Sequence, residues 1–344
     1  MYYTGIRSIT IITYRFVDRK TGSISITSRY DLAAPPDDRE IITAIEEGKR
    51  LGMQISLNPF IEIDNPNGIG HEWRGTLDFS GEDLKTFFEN YQDYIIRMVQ
   101  VAEATEADRL YVGSELKALL RNSKARTLWF QVIAEARRSF RKGILTYAVN
   151  HDEYKNVLLW HQLDEIGIDA YFSLASRPQA EGIGNPTTGV IAANWKKILM
   201  ELKNFNEQQK RPIILSEWGV VPFDLTTYQP WNWKPSTTED SLEQLNAYRA
   251  TLAAVTSQGN WLRGIQFWHW GMEGSLDSNY GIIPNSNLHQ LIIQYLAKKE
   301  DSKSNCGRPP YLKQAVRQFD FRAKTRKNKV SEAFKSKKKE FKYY

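Results

Sequence analysis

The chain has one cysteine, Cys306, in 344 residues, so no internal disulfide can form. That usage suits a reducing compartment. No run reaches the roughly 18 to 20 consecutive apolar residues of a membrane-spanning helix, and Met1 to Ser8 lacks the charged-then-apolar order of a signal peptide. As written, the sequence is expected to stay in the cytoplasm; secretion would need a leader encoded upstream of Met1. Histidine is scarce too. His71, His151, His161, His269 and His289 show no HExxH or paired-ligand spacing, so no metal centre is expected. GxGxxG, GxxxxGK[ST] and GxSxG are all missing, which argues against nucleotide cofactors and against a serine-elbow hydrolase, and no cofactor is expected.

Aromatic residues, by contrast, are plentiful: ten Trp, 17 Tyr and 15 Phe in a chain that is 41% hydrophobic. Aromatic faces suit sugar rings, although most such side chains belong in a core. The net charge of +6 is unevenly spread. Lys298 to Tyr344 holds 16 Lys and Arg against 5 Asp and Glu, leaving 30 basic and 35 acidic residues, a net of −5, in 1–297. The globular part is therefore mildly acidic and the basicity is an appendage. Residues 1–297 read as one domain, and 298–344 as a basic, disordered tail suited to contact with polyanions, with no nucleic acid at the active site.

Strand and helix patterns alternate along the chain. Apolar, β-branched runs lie near residues 6, 53, 109, 143, 165, 212 and 262, separated by helical patterns over 37–51, 80–107, 125–140, 194–208, 239–258 and 288–297. Such alternation argues for parallel βα units, and the length suits one TIM (β/α)8-type barrel with seven of its eight strands visible. Two of the strands end on a lone acid. RPIILSEWG at Arg211 to Gly219 delivers Glu217, while LYVGSELKAL at Leu110 to Leu119 delivers Glu115, with Gly113 read as a tight turn. In a parallel barrel both carboxyl ends lie on one face, so the glutamates meet across one pocket, the arrangement that glycosidic bond cleavage needs. Taken singly, each would equally suit a first helical turn.

With these stretches in view, the chain resembles glycoside hydrolase family 113, the TIM-barrel β-mannanases of clan A, from about Thr4 to Leu296. The likeness is carried by EWRG at Glu72 to Gly75, YVGSELKAL at Tyr111 to Leu119, LTYAVNHDEY at Leu145 to Tyr154, LDEIGIDAYF at Leu163 to Phe172, RPIILSEWG and the GIQFWHW strand. It implies a retaining mechanism with Glu115 as acid/base and Glu217 as nucleophile, their carboxyls about 5 to 5.5 Å apart. Tyr171 would donate to Glu217 and keep it ionised. Either Trp268 or Trp270 would be the floor beneath the sugar, Asn150 would bond a hydroxyl of that sugar, and Trp73 and Arg74 would line a more distal subsite. Where the family carries Lys-Pro-His at the end of its third strand, this chain has Asn58-Pro59-Phe60, and Asn58 stands among the expected sugar contacts. The family's first strand and helix have no counterpart here, so an N-terminally truncated barrel is expected.

The function expected is that of a monomeric retaining endo-β-glycosidase acting on β-1,4-mannan or a related oligo- or polysaccharide. The alternative is a barrel that binds glycan without cutting it. A third reading has the tail tether the barrel to an anionic partner such as nucleic acid or an anionic membrane surface.

Overall fold

A computed structural model describes residues 6–176, 184–271 and 280–303, with side chains described up to residue 296. Most of the basic tail, 304–344, lies outside the described residues, and so does much of the loop after Tyr171. No described helix is long and apolar enough to cross a membrane.

Seven parallel strands form one sheet: β1 (Ser8–Val17), β3 (Gln54–Ile63), β4 (Arg109–Ser114), β5 (Ile144–Asn150), β6 (Ile166–Asp169), β7 (Ile213–Trp218) and β8 (Leu262–Phe267). All seven runs seen in the sequence are there. An eighth member, β2 (Ile24–Ser25), pairs antiparallel to the end of β1. The sequence does not announce it, because two residues inside a polar loop carry no periodic signal. Neighbours in the sheet follow chain order, and β1 and β8 curl to within 8 Å between Cα atoms. This is the strand-helix alternation and curl of a TIM-type barrel.

The helices follow their sequence cues. In α1 (Asp38–Arg50), Asp37 accepts from the Glu40 amide at 2.8 Å and Glu40 accepts from the Asp37 amide at 2.9 Å, a reciprocal cap. Ser80 precedes α2 (Gly81–Ala104) without a side-chain cap bond. The apolar stripe of α2 is core: Phe87 stacks on Tyr91 at 5.3 Å, and the Tyr91 hydroxyl donates to the Val112 carbonyl at 2.9 Å. Burying each such ring contributes about 1.5 to 3 kcal/mol. The remaining helices are α3 (Lys117–Arg121), α4 (Arg126–Ser139), α5 (Thr188–Gln209), α6 (Ser241–Thr256) and α7 (Asn287–Lys303). Against the sequence cues, α1, α2, α4 and α6 are trimmed at their ends, and α5 and α7 are longer than expected. Two 3-10 turns, Tyr154–Asn156 and Trp160–Gln162, connect β5 to β6.

Inside the barrel, period-two alternation sends Ser56, Asn58, Phe60 and Glu62 of β3 to one face. At the amino-terminal end Arg109 pairs with Glu165 at 2.7 Å and donates to the Ser56 hydroxyl at 3.0 Å, both charges being almost fully buried. Above them the Tyr111 hydroxyl donates to Gln266 Oε1 at 2.9 Å. This polar plug closes the floor, leaving the carboxyl ends of the strands to form the mouth.

Candidate active site

Glu115 follows β4 directly, and its backbone sits in the left-handed region with φ of 55°. That conformation is uncommon for a residue with a Cβ, and its cost is characteristic of functional turns. The turn is therefore made by Glu115 itself. Gly113 lies inside β4, where a Cβ would come within 2.5 Å of the Tyr147 ring and 2.8 Å of the Tyr91 hydroxyl. Its glycine serves packing, not turning, which corrects the reading from sequence.

Three donors converge on the Glu115 carboxyl. Trp73 Nε1 donates to Oε2 at 3.1 Å, Arg74 Nη1 donates to the same oxygen at 3.4 Å, and Asn150 Nδ2 donates to Oε1. Trp73 and Arg74 thus sit at Glu115 itself and not at a distance from it; their loop, closed by a 3-10 turn at Arg74–Thr76, folds back over the end of β3. Asn150 ends β5, and its Oδ1 is buried without a partner, free to meet a ligand hydroxyl.

Arg74 is the electrostatic centre. It pairs with Glu62, donates from Nε to the Ile61 carbonyl at 2.9 Å, and lies with its guanidinium 4.0 Å from the centre of the Phe60 ring. Burial works against its charge, but Glu62, Glu115 and Glu217 together more than offset that. Sequence reasoning missed Glu62. Its signal was the alternation of β3, whose last inward position is a carboxylate.

Glu217 belongs to β7, where a register shift after Ile168 pairs it with Asp169. The Tyr171 hydroxyl donates to its Oε2 at 3.2 Å, while Oε1 has no partner. At 9% exposure the carboxyl is pushed up to about 8, first by burial and then by the charge of Glu115. Arg74 and the Tyr171 hydrogen bond pull the other way without prevailing. The Tyr171 bond to Glu217 is in place and favours the ionised form, as the family resemblance implied, while burial and the charge of Glu115 oppose it. Asp169, fully buried and bonded by the Ser216 hydroxyl at 2.8 Å, is also pushed upward, by burial and then by Glu217 and Glu115.

The aromatic walls differ from each other. Trp268 stacks on Phe60 at 6.2 Å with 19° between planes, and groups with Tyr171 and Tyr280 at the mouth. Trp270 instead packs edge-on against His289 at 5.2 Å beside the main core, so of the two indoles it is Trp268 that lies beside Tyr171 at the mouth. A Cβ at Gly219 would stand 2.3 Å from the Trp268 carbonyl oxygen, which is why glycine closes the SEWG stretch. Asn58, two positions before Phe60 on the same face of β3, is buried, and its Oδ1 has no hydrogen-bond partner.

Among the described residues Asp224, Asp240 and Glu243 bring carboxylate oxygens within 4.8 Å of one another. Their oxygens already have structural partners: Glu243 accepts from the Leu225 and Thr227 amides at 3.0 and 2.9 Å, and Asp240 caps α6.

The profile of Glycoside Hydrolase Family 113 matches residues 1–280. A GH113 β-1,4-mannanase solved as a complex is similar at TM-score 0.70 and 21% identity, covering 86% of this chain and 89% of that one. A GH113 β-mannanase from Alicyclobacillus acidocaldarius in complex with ManMIm is similar at 0.70 and 20%, covering 86% and 88%. A family 5 mannosidase from Rhizomucor miehei shares the fold at 0.56 and 12%, covering 90% and 87%. No curated protein matches. With its two glutamates at one barrel mouth and a family profile over most of its length, the chain belongs to glycoside hydrolase family 113.

Proposed function

We propose that the protein is a retaining endo-β-glycosidase that cleaves β-1,4-mannan or a related β-linked glycan. The observation that carries this is the joint placement of Glu115 and Glu217 at the carboxyl ends of β4 and β7, close enough that the charge of one raises the other. Glu217 attacks the anomeric carbon as Glu115 hands a proton to the departing glycosidic oxygen. Water, deprotonated by Glu115, then releases the sugar from Glu217 and restores both groups. Trp268 supports the C–H face of the sugar at the cleavage point, and the free Oδ1 of Asn150 accepts from a hydroxyl. The mannan preference is supported by the β-1,4-mannanases that share the fold.

One observation favours exchanged roles: burial and the charge of Glu115 push Glu217 toward its protonated form. An aryl β-mannoside with a good leaving group separates the two assignments, since its departure needs little protonation. Glu217→Gln should abolish the burst of aryl release, whereas Glu115→Gln should keep the burst and slow only the second step. A burst retained in Glu217→Gln alone would exchange the roles. Wild type that cleaves no β-glycan would leave a glycan-binding barrel.

A further inference from the structure

Two features of the mouth lie outside the residues used so far, His151 and the segment 228–233. Trp231 is 51% exposed and Trp233 is 66% exposed. An exposed tryptophan alone says little. This one is held in place: the Trp231 ring lies over the His151 imidazole at 5.6 Å with 23° between planes, and the far edge of that imidazole meets Phe172 at 5.2 Å. The loop that carries it is tied down on either side. Ser173 donates to the Tyr228 carbonyl at 2.8 Å, and Tyr280 donates to the Pro230 carbonyl at 2.6 Å.

One of these ties and the stacked imidazole lead to the catalytic pair. Tyr280 sits edge-on to Tyr171, which bonds Glu217. His151 is the next residue after Asn150, which bonds Glu115. In the sheet β5 stands three strands away from β8, so His151 and Trp268 follow well-separated strands of the barrel. In the glycosidase reading Trp268 lies under the sugar whose anomeric carbon reacts, and the departing portion of the glycan extends past Glu115, which protonates its oxygen.

We propose that Trp231, stacked on His151, is an aromatic platform for a pyranose ring on the leaving-group side of the cleavage point. The proposal rests on the glycosidase reading above and specifies where that reading places a long substrate. A pyranose turns axial C–H groups toward an aromatic face, whose negative surface attracts them. Burial lowers the His151 imidazole from its ordinary value, which favours a neutral ring beneath the indole. The platform favours chains long enough to cross Glu115 and reach Trp231, which suits endo attack on a polymer.

The test uses Glu217→Gln protein, which binds without turning over, titrated calorimetrically with mannohexaose and mannobiose. Adding Trp231→Ala should weaken mannohexaose by about three- to tenfold and mannobiose by less than about twofold, and Trp231→Phe should recover most of the loss. Unchanged mannohexaose affinity, or an equal loss for both sugars, overturns the proposal. A changed oligomeric state with sugar affinity intact would mark the tryptophan as a protein contact and overturn it as well. Should wild type neither cleave nor bind β-mannan, the glycosidase reading itself fails and the platform falls with it.

Discussion

Each end of the barrel holds a buried arginine–glutamate pair, and the two differ in company. Arg109 and Glu165 at the floor bond one another and Ser56, with no open space to serve. Arg74 and Glu62 at the mouth share their field with Glu115 and Glu217, beside buried oxygens that have no partner, Glu217 Oε1 and Asn150 Oδ1. A saturated pair fixes structure; a pair set among unsatisfied acceptors sets proton affinities. Barrel enzymes divide the two ends in this way, with stability at the amino-terminal face and chemistry at the carboxyl-terminal one.

Truncating either arginine strands a buried carboxylate, so Arg109→Met and Arg74→Met should each cost about 3 to 5 kcal/mol, read from denaturant midpoints. The comparison breaks if their pH profiles move alike. For kcat/KM on an activated aryl mannoside, the acidic limb reports Glu217 losing its proton and should lie near 8 in wild type. Arg74 lowers the Glu217 value, so Arg74→Met should move that limb upward, while Arg109→Met should leave it in place.

Next in size is the stability of the mouth itself. A carboxyl raised above its ordinary 4.5 stabilises the fold below that value, and the contribution is lost as pH rises through about 8. Glu217→Gln cannot ionise. It should therefore melt above wild type at pH 8 to 9, by on the order of a few kcal/mol, with the difference vanishing near pH 4. A variant that melts below wild type at pH 8 would mean that the fold does not raise Glu217.

The smallest effect belongs to Tyr171→Phe. Removing the hydroxyl removes one bond that lowers Glu217, so the acidic limb should shift upward by less than about one pH unit. A downward shift would show that Tyr171 favours the protonated form.

Much of the mouth could be read from sequence because its strands are buried on both faces. Continuous apolar runs such as RPIILS and LYV mark them, and the first carboxylate after each run falls at the open end. What escaped depends on contacts between distant segments. Trp73 and Arg74 reach Glu115 across 42 and 41 positions, and nothing in the local pattern around residue 73 records that. The left-handed turn at Glu115 was hidden behind Gly113, the residue type that usually supplies such a turn but here makes room for Tyr147. Glu62 was readable in principle, since Ser56, Asn58, Phe60 and Glu62 alternate with aliphatic or proline residues along β3. The upward shift of Glu217 was not, because it follows from burial and from neighbours on other strands.

The central claim is that Glu217 forms a covalent bond to the sugar while Glu115 moves the proton. A 2-fluoro β-mannosyl fluoride slows both steps and leaves with little protonation, so the intermediate accumulates and peptide mass spectrometry can locate it. The label should fall on Glu217; a label on Glu115, or no label with the product of inverted anomeric configuration, would contradict the mechanism.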